Sequence, residues 1–348
     1  MSPVTNARTL FNEVPTGYPV PGQTTVHDTT QTIDLENEPL NGGILAKTLV
    51  LSVDPVFRRW MSINPKTGKP IGFVLGQPLS GDGIAKVVRS ENPQFKPGDY
   101  IKENFPFQEY FVRKDDAKLE LVIENHGLDW SAHVGTLGMP GRTAYYGWRE
   151  YANPTKASLS GETIFVTTGA GPIGSFVVQL AKRAGLKVIA SASTDEKVAF
   201  IRSLGADVVF NYKTESTEEV LEREGPLDIY WDNVGGEILD IALSKAKGVG
   251  ARFIECGMIS LYNESDPYRL KNAYLILSKE ITVYGFWVGR WDAKYREEFN
   301  REVPELIKAG QLKHLEDVSD GLEHAGAGIA DVMQGRNFGK KVIVVAKE

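Results

Sequence analysis

The sequence predicts an α/β protein in which a doubly wound parallel sheet accompanies a small antiparallel barrel. Its 348 residues exceed what one ordinary hydrophobic core needs, so two domains are expected. Residues 1–130 are rich in glycine, proline and β-branched residues and lack long helical periodicity. Beyond residue 130, apolar runs of strand length alternate with helical segments, and this alternation is typical of a doubly wound sheet.

The barrel is predicted mainly from residues 72–99, which read GFVLGQPLSGDGIAKVVRSENPQFKPGD. Short apolar runs are separated there by turn signals, at Asp82-Gly83 and at Lys96-Pro97-Gly98. Short strands joined by frequent turns favour a bent antiparallel sheet. The last residues of the chain return to short strands and end in KVIVV at 341–345.

The parallel sheet is predicted from six apolar runs. They are residues 163–168, 186–190, 207–212, 228–234, 251–256 and 281–288. Between the first two runs, Phe176, Val177, Leu180, Ala181 and Ala184 repeat with helical spacing. Gly185 is expected to end that helix.

Composition excludes several classes of protein. The net charge of −6 repels phosphate polymers, so a nucleic-acid partner is not expected. The N-terminal residues lack the apolar core of a signal peptide, and no apolar run approaches the roughly 20 residues of a membrane helix. A single cysteine permits a reducing compartment, and we expect a cytoplasmic protein.

A protein metal site is not expected either. Zinc sites in alcohol dehydrogenases draw on several cysteine and histidine ligands, whereas this chain has one cysteine, Cys256. Its histidines are scattered, and no two lie at i, i+3 or i, i+4 spacing. They are His27, His126, His133, His314 and His324.

The motif GAGPIG at residues 169–174 predicts a dinucleotide-binding turn. It follows a strand-like run and opens a helix that leads to a second strand, which is the context this G-x-G-x-x-G motif requires. The glycines permit a tight turn and close approach of a pyrophosphate, and the helix N-terminus favours the anion. The predicted cofactor contacts of the turn are Gly169, Gly171, Pro172, Ile173 and Gly174. An ordinary glycine turn is the alternative.

The end of the second strand favours NADPH over NADH. Enzymes that use NAD usually place a carboxylate there, and Asp195 and Glu196 lie near that position. However, Ser193-x-x-Glu196 reads as a capping box, which assigns these acids to the start of the next helix. Lys197 and Tyr212 would then contact a 2′-phosphate; alternatively, they are a solvated charge and a rim aromatic.

Several short sequence segments, by their order and spacing along the chain, give it a resemblance to a known family. They are LSVDP at 51–55, GMPG at 138–141, TAY at 143–145, DNVGG at 232–236, CGMISLYN at 256–263, GF at 285–286 and GRNFGK at 335–340. The sequence resembles the zinc-free medium-chain dehydrogenases/reductases, in particular the NADP-dependent alkenal/one and prostaglandin double-bond reductases.

The resemblance implies a fold and an assembly. It implies a GroES-like β-barrel domain formed by residues 1–130 and completed by 311–348, with a Rossmann domain at 131–310 inserted between them. It places the active site in the cleft and implies a homodimer.

The resemblance also implies residue roles. Gly171 and Gly174 would contact the pyrophosphate, and Lys197 the 2′-phosphate, with Tyr212 beside it. The contacts nearer the nicotinamide would be Asn233, Cys256, Tyr262, Phe286, Val288 and Asn337. Val56, Phe57 and Trp287 would line the substrate pocket.

Each of these roles has a structural alternative. Asn233 could cap a turn, Tyr262 could be a packed aromatic, and Cys256 reads as a small core residue rather than a nucleophile. Two departures from the family concern the substrate. Val56-Phe57-Arg58 replaces the family's usual Tyr-Met-Arg, and Arg142 stands where an apolar residue is common.

The expected reaction is conjugate reduction of an enal or enone, with hydride from NADPH reaching the β-carbon. Tyr262 and a ribose hydroxyl would stabilise the charge that develops on the carbonyl oxygen. A quinone oxidoreductase of the same fold is one alternative. A non-catalytic NADPH-binding protein is another.

Overall fold

A computed structural model describes residues 3–114, 119–152, 159–264 and 266–347. The chain forms two compact units. Unit 1 comprises residues 1–138 and 316–348, and unit 2 comprises residues 139–315. Unit 2 is therefore a single stretch of chain inserted within the sequence of unit 1.

The strands of the described residues, in chain order, are β1 (Val4–Thr5), β2 (Arg8–Phe11), β3 (Thr25–Asp28), β4 (Thr32–Ile33), β5 (Ile44–Ser52), β6 (Ser80–Ser90), β7 (Tyr100–Pro106), β8 (Tyr110–Arg113), β9 (Glu120–Leu121), β10 (Thr163–Val166), β11 (Lys187–Ala192), β12 (Val208–Asn211), β13 (Ile229–Asp232), β14 (Arg252–Glu255), β15 (Thr282–Gly285), β16 (Glu316–Asp320) and β17 (Lys340–Val344). The α-helices are α1 (Val56–Trp60), α2 (Trp130–Val134), α3 (Met139–Tyr151), α4 (Pro172–Arg183), α5 (Asp195–Ser203), α6 (Thr217–Glu224), α7 (Gly236–Ser244), α8 (Tyr274–Ser278), α9 (Asp292–Lys308) and α10 (Ala325–Met333). Short 3₁₀ helices span Ile259–Leu261, Val288–Trp291 and Leu322–His324.

Unit 1 is built around a seven-stranded sheet in the order β16-β17-β5-β6-β7-β9, with β8 also paired to β5. Its pairings are antiparallel except β16 with β17, which are parallel and joined through α10. Helix α2 packs on this sheet because Val134 is buried against Leu49, Val50 and Ile84.

Two sequence expectations for unit 1 are wrong. Asp82-Gly83 is not a turn, because both residues lie inside strand β6 and pair with Asn104 and Glu103 of β7. Gly83 is required there for close packing, since a Cβ would lie 2.9 Å from the Val50 carbonyl oxygen. The tail is also not made of strands alone, because helix α10, most of whose residues are buried, comes between β16 and β17 in the chain.

Unit 2 holds a six-stranded sheet in the order β12-β11-β10-β13-β14-β15, in which every pairing is parallel. Counted along the chain within this unit, the strand order is 3-2-1-4-5-6, which defines a doubly wound dinucleotide-binding sheet. All residues of β10 and β13 are buried, as a sheet covered on both faces demands. The predicted parallel sheet is confirmed, with each strand lying inside or within two residues of its predicted run.

The helix predicted after the glycine motif is also confirmed, at Pro172–Arg183. Gly185 adopts a φ of 81°, a left-handed conformation that glycine tolerates without steric cost.

Candidate functional site

The carboxyl edge of the unit 2 sheet collects most of the predicted site residues. The glycine motif follows β10, Lys197 and Tyr212 follow β11 and β12, and Asn233 follows β13. Cys256 and Phe286 come directly after β14 and β15. In open α/β sheets, this edge is where ligands bind, because the strand order reverses there and leaves a crevice.

The turn after β10 is closely packed around its glycines. Thr168 adopts a φ of 51°, and its carbonyl accepts a hydrogen bond from the Gly171 amide at 2.9 Å. At Gly174 a Cβ would overlap the Thr168 carbonyl oxygen and lie 2.9 Å from its carbonyl carbon. At Gly169 a Cβ would lie 2.9 Å from Ile201. The geometry therefore requires glycine at Gly174, where a Cβ would meet backbone, whereas at Gly169 the Ile201 side chain could move aside.

Helix α4 begins at this turn without a side-chain cap. Gly171 is its N-cap residue and has no side chain that could accept from the first-turn amides, and Pro172 occupies the first turn. The amide groups of an uncapped helix start carry partial positive charge and are suited to bind an anion. A pyrophosphate fits both the shape and the electrostatics of this turn.

Lys197, Ser193 and Tyr212 come together at the ends of β11 and β12. Lys197 is 9% exposed, and its ammonium donates to the Ser193 hydroxyl at 3.4 Å. The Tyr212 amide donates to the Ala192 carbonyl at 3.1 Å, which holds Tyr212 beside the end of β11, and its side chain is 47% exposed. A buried ammonium and an exposed phenol that follow neighbouring strands of the sheet suit recognition of a phosphate.

The predicted capping box is wrong, although the acids do lie at the helix start. Thr194, not Ser193, is the N-cap residue of α5, and its hydroxyl accepts from the Lys197 amide at 3.3 Å. Asp195 and Glu196 occupy the first turn and are exposed, and Asp195 accepts from the Asn211 side-chain amide at 3.0 Å. The Ser193 hydroxyl instead accepts from Lys197.

Asn233 is held rigidly at the junction of β13 and β10. Its backbone amide donates to the Thr167 hydroxyl at 2.9 Å, and its side-chain amide donates to the Thr167 carbonyl at 2.8 Å. Thr167 is itself 1% exposed. The sequence does not single out this threonine, and its position directly after an apolar strand is the only signal of its role.

Cys256 and Phe286 lie side by side, because β14 and β15 pair Glu255 with Gly285. Burial raises the pKa of the Cys256 thiol to about 12, which keeps it protonated and suits a packing role. The Phe286 ring packs against Tyr151 and Trp231, with centroids 5.4 and 6.3 Å away.

Tyr262 ends the 3₁₀ helix Ile259–Leu261 and is half-buried. Trp287 is 69% exposed and Val288, which begins another 3₁₀ helix, is half-buried. These three residues therefore offer side-chain surface that a ligand can reach.

Three of the predicted site residues belong to unit 1. The Asn337 side-chain amide donates to the Gly339 carbonyl at 2.8 Å, just before β17. Val56 is half-buried at the start of α1. Phe57 is 1% exposed and packs among Trp60, Phe73 and Phe107, so its ring belongs to the core of unit 1 and is not on a surface that a substrate could contact.

Two buried carboxyl groups at the same edge of unit 2 are not predicted from the sequence. Asp232 ends β13 and Glu255 ends β14, and the two residues are paired in the sheet register. An acidic residue at the end of the apolar run that precedes Cys256 is a signal that could have drawn attention to this pair.

The described residues contain neither a metal-binding group nor a membrane-spanning helix. No group of three or more His, Cys, Asp or Glu side chains there could hold a metal ion. No helix in those ranges has the length and hydropathy needed to cross a bilayer.

Two family models match the chain. One, described as the N-terminal domain of oxidoreductase, matches residues 8–122, and the other, described as zinc-binding dehydrogenase, matches residues 172–308. Among solved structures, that of CurA from Vibrio vulnificus in complex with NADPH superposes with a TM-score of 0.86 at 26% identity, over 98% of this chain and 100% of that one.

Relatives match over nearly the whole chain. A zinc-type alcohol dehydrogenase-like protein of Schizosaccharomyces pombe is 39% identical over 95% of both chains. The NADP(+)-dependent 2-alkenal reductase of Nicotiana tabacum is 36% identical over 99% of both chains. The protein therefore belongs to the medium-chain dehydrogenases/reductases, in the group of NADP-dependent alkenal and prostaglandin reductases.

Proposed function

We propose that this protein uses NADPH to reduce the carbon–carbon double bond of α,β-unsaturated aldehydes and ketones. The observation that carries the proposal is the carboxyl edge of the unit 2 sheet, where a turn that requires glycine at Gly174, a buried lysine and the segment that contains Tyr262 all follow strands of one parallel sheet. The relatives named 2-alkenal reductase and (+)-pulegone reductase support this substrate class.

The residues of the edge fit NADPH. The turn at Gly171 and Gly174 would take the pyrophosphate, because glycine leaves its backbone accessible and the helix start is uncapped. Lys197 and Tyr212 would contact the 2′-phosphate. The proposed contacts nearer the nicotinamide are Asn233, Cys256, Tyr262, Phe286 and Val288 of unit 2. The contact expected of Asn337 stays a prediction.

When bound, NADPH supplies hydride to the β-carbon of the substrate. The work of the protein is then to position the substrate and to stabilise negative charge on its carbonyl oxygen. Tyr262 is the proposed hydroxyl donor to that oxygen, acting together with the nicotinamide ribose hydroxyl. A proton from water or a hydroxyl completes the reduction at the α-carbon.

Selectivity for substrate is proposed to reside in Trp287, which is exposed, whereas Phe57 is buried. The role of Val56, which is half-buried, stays a prediction.

Arg142 lies on α3, and its guanidinium lies 3.6 Å from the Asp292 carboxylate on α9. The Asp292 carboxylate also pairs with Arg296 and accepts from the Tyr146 hydroxyl, so Arg142 joins a group of polar contacts between α3 and α9. Arg142 is therefore proposed to support the fold and not to bind an anionic substrate.

A panel of electron acceptors tests the proposal. Purified protein is mixed with NADPH and one of three acceptor classes: 2-alkenals, enones or quinones. Oxidation of NADPH is followed together with product analysis. Saturated aldehydes and ketones as products support double-bond reduction. Turnover of quinones alone would establish a quinone oxidoreductase, and tight NADPH binding without turnover of any acceptor would establish a binding protein.

Unit 1 is proposed to be a GroES-like barrel domain. Its support is the long bent strands β5 and β6, whose pairing shifts register twice, and the return of the C-terminal β17 to pair with β5. The expected domain limits, residues 1–130 with 311–348 and residues 131–310, stay a prediction.

A homodimer is proposed to form through the edge of the unit 2 sheet. Strand β15 is the last strand of the sheet, and Val283 on it is 38% exposed. Nearby in sequence, Tyr274 and Leu277 of α8 are each 72% exposed. An open apolar edge favours pairing with a second chain. Light scattering of the wild type and of Val283→Lys tests this: the variant is expected to be monomeric, and an unchanged mass would exclude this edge.

A further inference from the structure

Asp232 and Glu255 place two carboxyl groups side by side on neighbouring parallel strands. The two residues are direct partners in the sheet register, so their side chains emerge on the same face of the sheet. Asp232 is 0% exposed, and both carboxyl oxygens of Glu255 are inaccessible to solvent. Three of the four oxygens, Asp232 Oδ2 and Glu255 Oε1 and Oε2, are buried without a hydrogen-bond partner among the described residues.

The fourth oxygen connects this pair to the proposed cofactor site. Asp232 Oδ1 accepts from the Val234 amide at 2.7 Å and from the Gly235 amide at 2.8 Å. Gly235 needs a φ of 70°, and a Cβ there would lie 2.9 Å from the Met258 side chain. The carboxyl group of Asp232 thus determines the path of the chain immediately after Asn233.

Nothing among the described neighbours neutralises two negative charges. The same face of the sheet carries an apolar cluster that includes Tyr230, Leu239, Phe253 and the flanking Met258. The ionisable groups beside the pair are Tyr230 and Cys256, which carry no positive charge. On helix α7, the Asp240 carboxylate accepts from the Asn272 amide and the Tyr268 hydroxyl, and Glu237 is exposed.

Two ionised carboxylates in this position would repel each other at low dielectric, and the Tyr230 hydroxyl beside Asp232 can supply only one of the donors that their buried oxygens need. One proton removes both problems, because it converts one acceptor into a donor and halves the buried charge. We propose that Asp232 and Glu255 share a single proton and act as a positioning pair that holds the Val234-Gly235 turn, and with it Asn233, in place for the nicotinamide end of NADPH. The functional part of this inference rests on the proposed function.

The proton is expected to reside on Glu255. Two backbone amides donate to Asp232 and favour its charged form, although burial raises its pKa above the usual range. Burial, and then the charge of Asp232, raise the pKa of Glu255 from 4.5 to about 9. In the folded protein, Glu255 is therefore a neutral hydrogen-bond donor at neutral pH, whereas in the unfolded chain it is ionised.

The raised pKa of Glu255 sets the direction of the pH dependence. The folded state binds the extra proton between pH 4.5 and about 9. The contribution of this proton to the free energy of unfolding is complete below pH 4.5 and is lost progressively as the pH rises towards 9. Above pH 9 the second charge would repel Asp232 and release the turn, so NADPH affinity should fall with the fraction of protonated pair, about tenfold at pH 10.

Infrared spectroscopy and NADPH titration of the whole protein test the pair. The variants are Glu255→Gln, whose carboxamide is a permanently neutral donor, Glu255→Leu, which removes the donor, and Glu237→Gln, an exposed control beside the same turn. The wild type should show the carbonyl stretch of a protonated carboxylic acid at neutral pH, lost near pH 9 and absent in Glu255→Gln. Glu237→Gln should retain it.

The binding measurements separate positioning from mere packing. Glu255→Gln should bind NADPH as tightly as the wild type at pH 7 and should not show the alkaline loss, whereas Glu255→Leu should bind about tenfold more weakly at pH 7. The proposal that the pair shares a proton would be overturned if the folded wild type lacked the acid band. It would also be overturned if the wild type and Glu255→Gln gave superimposable pH profiles. A wild type that binds no NADPH at any pH would instead overturn the proposed function, and the infrared band would still decide whether the proton is shared.

Discussion

The two ends of the proposed cofactor site in unit 2 are built differently. The end at β10, β11 and β12 is closely packed, with a turn that requires glycine at Gly174 and a lysine that is 9% exposed. The end at β13, β14 and β15 is more open, because Tyr262 and Val288 are half-buried and Trp287 is 69% exposed. The first end is suited to bind a constant phosphate group, and the second leaves room for a variable substrate. Affinity and turnover should therefore respond to mutations at different ends.

The largest effect is expected for Gly174→Ala at the first end. The new methyl group would overlap the Thr168 carbonyl, so helix α4 must move away from the turn. We expect the free energy of unfolding to fall by about 3 kcal/mol. The Kd for NADPH should rise at least about a hundredfold. Denaturant titration and fluorescence titration measure the two effects.

Gly171→Ala is the matched control, because its Cβ would lie 3.3 Å from the Thr168 oxygen and requires a shift of only a few tenths of an ångström. Its stability should change by at most about 1 kcal/mol. Equal destabilisation of the two variants would show that close packing at Gly174 does not determine the turn.

At the second end, Tyr262→Phe should lower turnover and spare binding. The ring is kept, and the proposed hydrogen bond to the developing negative charge is lost, so kcat on an enone should fall by roughly one to three orders of magnitude. The Kd for NADPH should change much less. The effect on quinones should be smaller, since their charge spreads over a ring.

Tyr268→Phe is the control for that variant, because the Tyr268 hydroxyl donates to Asp240 at 3.1 Å and has no proposed catalytic role. Steady-state rates on an enone and a quinone should be close to wild type. If Tyr262→Phe also keeps full enone turnover, Tyr262 is only a packed aromatic and the donor must be another group.

Lys197→Ala should change cofactor preference without affecting the chemistry. NADPH is expected to bind at least about tenfold more tightly than NADH, a difference of about 1.4 kcal/mol, because Lys197 is the proposed contact of the 2′-phosphate. The variant should lose most of that preference and keep its NADH affinity, with Lys308→Ala as a surface control. A parallel loss for both cofactors would mean that Lys197 does not contact the phosphate.

The smallest effect is expected for chelators, which should leave the activity unchanged. The chain has one cysteine, and its thiol pKa is raised to about 12, so it is a poor metal ligand at neutral pH. Activity should be unchanged after dialysis against a chelator, and elemental analysis should find no stoichiometric zinc. One tightly bound zinc per chain would contradict the zinc-free assignment.

The sequence alone determined the features that depend on local patterns. The six strands, helix α4 and the glycine turn follow from apolar periodicity and from a motif whose residues are adjacent in the chain. The position of Lys197 relative to Tyr212 also follows, because both come shortly after strands that pair in the sheet. Family resemblance supplied the residues of the nicotinamide end.

Only the tertiary structure decided features that depend on neighbours distant in the chain. It assigned the cap of α5 to Thr194 instead of Ser193, placed Phe57 in an aromatic core, and put Asp82-Gly83 inside a strand. It also brought Asp232 and Glu255 together across 23 residues of sequence. An acidic residue at the end of an apolar run can draw attention in a sequence, but its partner and its charge state depend on burial and on the groups that the fold places beside it.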